Sequence, residues 1–308
     1  MTDRSEIPPL RRGRRTAALL LVVALAAPAA LSAQPAVLIV GDSWARLMYT
    51  TDALTTVVTA HGHPEITVYG DSTTIDGSTA ADWAQADHLQ LIDAEFSAHP
   101  EISAVVIFVG GNDFLAGQSG GGWYVGMDPA AEQALFDGIE QDTATLIDHL
   151  LSLDPALEIA LSSYDYPNFV ETLEPPLGDL FCVPLWQDLG EPTPFQINSH
   201  ARILDQGRTV IAATRPEVTP VASWGLMQYL YGYPSMGIPP GALPPPGDPN
   251  LPSPPESLRL GVDCFHLAPA GYEAIGEQLW HYALGPYFDG LFADGFESGD
   301  LSAWNVGP

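Results

Sequence analysis

Short apolar, β-branched runs recur along this chain with helical patterns between them, and that alternation constrains the fold more than any other feature. The clearest run is AVVIFV at residues 104–109, and others occupy 36–40, 66–69, 157–162 and 218–222. Most of them do not alternate apolar with polar positions, which predicts strands buried on both faces. The intervening segments carry apolar residues every third or fourth position. Leu47, Met48, Leu54, Val57 and Val58 do so within 44–60, and Trp83, Ala86, Leu89 and Ile92 within 80–96. A third helix is expected from Asp128-Pro129 to about 153, where a capping carboxylate precedes a proline at the first helical position. Two more are expected over 195–214 and 269–284. Strands alternating with helices predict an α/β fold of three layers, a five-stranded parallel sheet with helices on both faces. Two stretches break the pattern. Residues 164–194 are rich in Pro and Glu, and 231–257 contain Pro244-Pro245-Pro246 and Pro254-Pro255. Loops this long in a compact domain are commonly functional or disordered, and a cleft role and simple decoration both stay open.

The ends differ from the middle. Five of the ten basic residues, Arg4, Arg11, Arg12, Arg14 and Arg15, precede an apolar run from Ala17 to Leu31 that closes on Ser32-Ala33. A basic start, an apolar stretch and a small residue before the cut describe a signal peptide over 1–33. The run is short for a transmembrane helix, and Pro28 interrupts it. The paired arginines leave the export route open, and the expected destination is secreted or periplasmic. Removal of 1–33 leaves 36 acidic and five basic residues, a net charge of −31, with no lysine anywhere. So acidic a surface repels phosphate backbones and disfavours anionic lipid, so no nucleic-acid partner is expected; no other segment is long and apolar enough to span a membrane, so no membrane insertion is expected after cleavage. Residues 34–288 are expected to form one domain and 289–308 an acidic tail. Within it 292–304 reads as a flexible acidic segment rather than a Ca²⁺ site.

Chemistry-bearing residues cluster at the strand ends, where open α/β sheets bind ligands. Gly41-Asp42-Ser43-Trp44 follows the first run, Gly77-Ser78-Thr79 the second and Gly110-Gly111-Asn112-Asp113 the third; Asp263-Cys264-Phe265-His266 precedes the last helix. Singly, each has a dull explanation: a capping serine, a loop glycine, a turn asparagine, a surface histidine. A carboxylate three positions from an imidazole on a turn can nonetheless fix the ring's tautomer and stabilise its cation.

Together, in this order, the four blocks resemble the SGNH (GDSL-type) hydrolase superfamily, over roughly residues 37–284. Leu267-Ala268-Pro269-Ala270-Gly271-Tyr272 is also similar, while Trp44 stands where a Leu is usual. The resemblance implies a flavodoxin-like fold and a serine esterase or lipase. Ser43 would be the nucleophile, His266 its base and Asp263 the orienter. The N–H groups of Ser43 and Gly77 and the Asn112 amide would form the oxyanion hole. No metal and no cofactor are expected. The strong negative charge favours a neutral ester, and a small-molecule or acylated-carbohydrate ester is the expected substrate. Trp123, Tyr124, Trp224, Tyr229, Tyr231 and Tyr233 are candidates to line a cleft, and equally candidates for the core. The rival is a non-catalytic surface or carbohydrate-binding protein that keeps the fold; a complete Ser43, Asp263 and His266 set argues against it.

Two further features bear on the site. Gly117-Gln118-Ser119-Gly120-Gly121 fits the G-x-S-x-G nucleophile elbow but lacks a strand before it and a helix after it, so a mobile glycine-rich loop is expected instead. The only two cysteines, Cys182 and Cys264, would be exported together, and an oxidising compartment favours a disulfide between them over two separate buried thiols.

Overall fold

The computed structural model describes residues 34–173, 178–261 and 263–293. The expected signal peptide, 1–33, and residues 294–308 of the expected tail lie outside the described residues. Five strands form one sheet in the order β2-β1-β3-β4-β5: β1 Ala36–Gly41, β2 Thr67–Tyr69, β3 Ile102–Phe108, β4 Glu158–Ser162 and β5 Val218–Val221. Every pairing is parallel. The three inner strands are the most deeply buried. All six residues of β1 are buried, and so are six of the seven in β3. Both edge strands, β2 and β5, include an exposed residue.

Burial on both faces requires helices on both. Ser43–Thr50, Ala53–Ala60 and Pro269–Leu279 pack together over one face. Ala80–Trp83, Ala86–Ala98 and Ile203–Ala213 gather round the long helix Pro129–Leu153 over the other. That helix begins where its sequence signal lies: the Asp128 carboxylate accepts from the N–H groups of Ala130 and Ala131 ahead of a first-turn proline. Its inward face is Phe136, Ile139, Thr143, Leu146, Ile147 and Leu150, spaced three or four apart.

Four helices differ from the periodic pattern. The helix expected over 44–60 breaks at Asp52, which adopts a left-handed φ of 55°; short polar side chains tolerate that conformation better than most. The one expected over 80–96 is two helices, because Thr79 and Asp82 form a reciprocal capping box and Gln85 is extended. The helix at 195–214 divides into Pro194–Ala201 and Ile203–Ala213 around Arg202. The last passes through a π-helical turn, Trp280–Leu284, into Gly285–Ala293, and so runs across position 288.

Neither long loop is structureless. The first contains a helix, Gly178–Asp188, with Pro184 inside it. The second is poor in backbone donors, and side-chain amides meet its carbonyls. Gln228 Nε2 donates to Asp248 O (3.0 Å) and Leu251 O (2.7 Å), and Asn198 Nδ2 to Pro249 O (3.0 Å) and Leu251 O (2.9 Å).

Candidate active site

The site forms at the carboxyl ends of β1, β3 and β4. At the end of β1 the chain must turn sharply beside β3. Gly41 has a φ of +142°, and a Cβ there would lie 1.9 Å from the Phe108 carbonyl oxygen, so only glycine fits. Asp42 then caps the following helix: its Oδ1 accepts from the Trp44 N–H at 2.8 Å. This leaves Ser43 as the first residue of the Ser43–Thr50 helix, at the positive end of its dipole.

Ser43 Oγ lies 2.7 Å from His266 Nε2, across 223 residues of sequence. The other ring nitrogen, Nδ1, lies 2.8 Å from Asp263 Oδ2. Asp263 Oδ1 meanwhile accepts from the N–H groups of Phe265 (3.1 Å) and His266 (2.9 Å). One carboxylate therefore holds both the turn and the ring. A carboxylate only accepts, so Nδ1 carries the ring proton and Nε2 presents its lone pair to the serine. Burial pushes the Asp263 carboxyl up, but the hydrogen bond and charge of His266 and the two backbone N–H groups bring it below its ordinary value. Asp263 thus stays ionised beside the imidazole.

The turn is anchored from outside. Cys264 is bonded to Cys182 of the Gly178–Asp188 helix, with Cα atoms 5.8 Å apart. The Cys264 carbonyl accepts from the Asn168 N–H at 2.7 Å. The far end of that helix is held by the 117–121 segment, a short helix (Gly117–Gly120) rather than a mobile loop. Ser119 Oγ donates to Asp188 Oδ2 at 2.7 Å, and its N–H reaches the same carboxylate at 3.2 Å. Ser119 is a clamp here, with no histidine among its hydrogen-bond partners.

The two remaining blocks also converge on the end of β1. Asn112 Nδ2 donates to Ser78 O at 2.9 Å, which fixes the amide against the 77–79 turn. Ser78 Oγ donates to Gly41 O at 3.3 Å, and the Ala80 N–H to Asp113 Oδ2 at 2.8 Å. Gly77 is exposed on that turn with a φ of +80°. Among the described residues, neither its N–H nor that of Ser43 has a backbone or side-chain acceptor.

One participant lacked a sequence signal. Tyr164, just beyond β4, sends its hydroxyl into the floor of the site. The hydroxyl donates to Asp42 Oδ2 at 2.6 Å and accepts from the Gly111 N–H at 3.0 Å. It thereby joins the residue before Ser43 to the residue before Asn112. Gly111 is required by this contact, since a Cβ there would lie 2.7 Å from the tyrosine ring. The buried Arg208 guanidinium sits 5.5 Å from the ring centroid and donates to Val109 O at 3.0 Å. Burial lifts the Asp42 carboxyl to about 6 despite its bonds from Tyr164 and Trp44. Burial and the Asp42 charge push the Tyr164 hydroxyl up, so it remains a donor.

A small cleft opens beside Ser43 and Asn112. Trp44 forms part of its wall, held edge-on against Tyr164 and Tyr272 with ring centroids 5.2 and 5.6 Å away. Of the six aromatics proposed for a cleft, Trp224 lines this one. Trp123 is instead stacked in the core on Phe114, and the Tyr233 hydroxyl is bonded to the Pro252 carbonyl within the second long loop.

Residues 33–279 match the model of the family described as GDSL-like lipase/acylhydrolase, and the chain belongs to that family of ester-hydrolysing enzymes. No curated protein matches it. Among solved structures, it is similar to the acetyl xylan esterase AlAXEase, with 16% identity over 80% of this chain and 98% of that one and a TM-score of 0.44. It is similar to a carbohydrate esterase family 3 from Talaromyces cellulolyticus, with 12% identity over 85% and 99% and a TM-score of 0.46. A family 3 carbohydrate esterase of Clostridium thermocellum gives 16% identity over 84% and 98% and a TM-score of 0.44.

Proposed function

We propose that this chain is an exported serine esterase that cleaves neutral carboxylic esters through an acyl-enzyme on Ser43. The observation that carries the reading is the unbroken line from Ser43 Oγ through both ring nitrogens of His266 to Asp263, at 2.7 and 2.8 Å. In this mechanism Ser43 Oγ attacks the ester carbonyl while its proton passes to His266 Nε2, and Asp263 stabilises the imidazolium. The Ser43 and Gly77 N–H groups and the second N–H of the Asn112 amide receive the oxyanion; its first is committed to Ser78 O. Such donors are each typically worth about 3–4 kcal/mol in the transition state. The ester C–O bond then breaks, and His266 returns the proton to the departing alcohol. Water attacks the acyl-enzyme by the same route and restores Ser43.

Export fits the same account. Residues 1–33 would be removed, leaving the hydrolase domain from 34 onward and an acidic C-terminal tail. The Cys182–Cys264 bond suits an oxidising compartment. The net charge of −31 after removal of the leader favours neutral substrates over anionic ones.

A fluorophosphonate probe tests the reading. The folded protein should be labelled once, on the peptide carrying Ser43, and lose labelling when unfolded. Absence of labelling, or labelling at Ser119, would remove the proposal.

A further inference from the structure

We infer that an uncharged face beside the catalytic cleft, built by the helix Leu226–Tyr231 and the proline-rich segment 234–247, docks the protein on the surface of an emulsified neutral ester. That the surface is an ester rests on the serine-esterase reading above; the face itself does not.

The first observation is charge. The chain carries a net charge of −31 once 1–33 is removed, yet residues 218–247 contain no Asp, Glu, Lys, Arg or His. Apolar side chains face solvent within this stretch: Tyr229 is 39% exposed, Leu230 41% and Met236 59%. Pro234, Pro239, Pro240, Pro244, Pro245 and Pro246 are exposed beside them. Anionic surfaces repel the rest of the molecule, whereas an uncharged surface meets no opposing field at this face. A second copy of the chain would bring its own −31 to the contact, which argues against self-association.

The second observation is the backbone. An apolar phase offers no partner to an N–H group, and a bare one is costly there. Segment 234–247 has almost none to leave bare. Six of its residues are proline and have no N–H. Six more donate to nearby carbonyls: Met236 and Ile238 to Tyr233 O, Gly237 to Pro234 O, Gly241 to Tyr229 O, Ala242 to Pro239 O and Gly247 to Pro244 O. Ser235 and Leu243 are the remaining two. A loop meant only for water has no need of this provision.

The third observation is place. Trp224, just ahead of the helix, lines the cleft beside Ser43, and so does Asp165. Asp165 accepts from the N–H groups of Gly225 and Met227, each at 2.7 Å, which fixes the start of the helix. The Tyr166 hydroxyl donates to Pro246 O at 2.8 Å and ties down the far end of the proline-rich segment. The face is therefore held to the same wall as the catalytic cleft.

The test is flotation of the mature protein carrying Ser43→Ala, so that adsorption is read without hydrolysis. It uses droplets of emulsified trioctanoylglycerol and, separately, vesicles of phosphatidylglycerol. The protein should float with the droplets at low and high salt, and should not join the vesicles. Leu230→Asp and Met236→Asp each put a charge on the face at an exposed position, and each should weaken droplet adsorption by about tenfold or more. With Ser43 restored, the same changes should leave turnover of dissolved p-nitrophenyl acetate unaltered and cut turnover of the emulsion. Failure to float, full adsorption by both variants, adsorption to the vesicles, or a dimer that either variant splits would overturn the docking face. Droplet adsorption with no fluorophosphonate label and no turnover of dissolved esters would remove the esterase reading alone. Label and turnover without adsorption would remove the docking face alone.

Discussion

Replacing Tyr164 by Phe removes one oxygen atom and keeps the ring against Trp44, Gly111 and Arg208. Two buried groups lose their partner: Asp42 Oδ2, 2.6 Å from the hydroxyl, and the Gly111 N–H, 3.0 Å from it. A buried orphan costs about 1–3 kcal/mol, with a charged one at the upper end, so the pair should cost about 4 kcal/mol at neutral pH. The cost depends on pH, and its sign follows from Asp42. Burial already raises this carboxyl from 3.8 to about 6, and the Tyr164 hydrogen bond works against that rise. Without the hydroxyl the folded-state value climbs further. Above both values Asp42 is ionised in both proteins, and the variant bears the full penalty. As pH falls through the variant's value and then through about 6, both proteins take up the proton and the penalty shrinks toward that of the Gly111 N–H alone. Urea unfolding of the two proteins at about pH 8 and about pH 5 should therefore give a difference roughly twice as large at the higher pH. Turnover should fall by about 10- to 100-fold with KM little changed, because Asp42 and Gly111 position Ser43 and Asn112. A stability difference that is constant with pH, or that grows as pH falls, would refute the argument.

Other perturbations follow from the same framework. Cys182→Ser opens a link spanning 82 positions, for which loop-closure entropy allows up to about 4.5 kcal/mol. Urea midpoints should fall, and turnover should drop by up to about a hundredfold as the Asp263–His266 turn loosens; unchanged stability and rate would contradict the anchoring role. Gly41→Ala forces a Cβ to 1.9 Å from the Phe108 oxygen. It should cost more than about 4 kcal/mol or prevent folding, read as loss of soluble protein or of a cooperative melt. Asp188→Ala removes an exposed clamp on Ser119 and should cost about 1 kcal/mol or less in a urea melt.

The strands were legible because β1, β3 and β4 are apolar on both faces and flanked by turn residues. The blocks carrying Ser43, Asn112, Asp263 and His266 were legible because the sheet's topology puts successive strand ends along one edge. Four helix breaks were not. A left-handed Asp52, an extended Gln85, the division at Arg202 and the π-helical turn at Trp280–Leu284 leave the apolar spacing on either side intact. The Gly178–Asp188 helix was obscured by prolines, since Pro184 lies within it. Tyr164 was hidden for a different reason. Its partners are 122 and 53 residues away, and nothing local marks it beyond its place directly after the fourth apolar run. Ser119 illustrates the converse: a motif that matches by letters serves as a clamp for Asp188, because no strand precedes it.

The central claim is that Ser43 is the nucleophile, and paired serine substitutions test it most directly. Ser43→Ala and Ser119→Ala should be compared with the parent for kcat on p-nitrophenyl butanoate and for melting temperature. Ser43→Ala should lose about a millionfold in turnover while melting as the parent does, since among the described residues its hydroxyl meets only His266. Ser119→Ala should keep nearly all activity. Retained turnover in Ser43→Ala, or its loss in Ser119→Ala alone, would contradict the account.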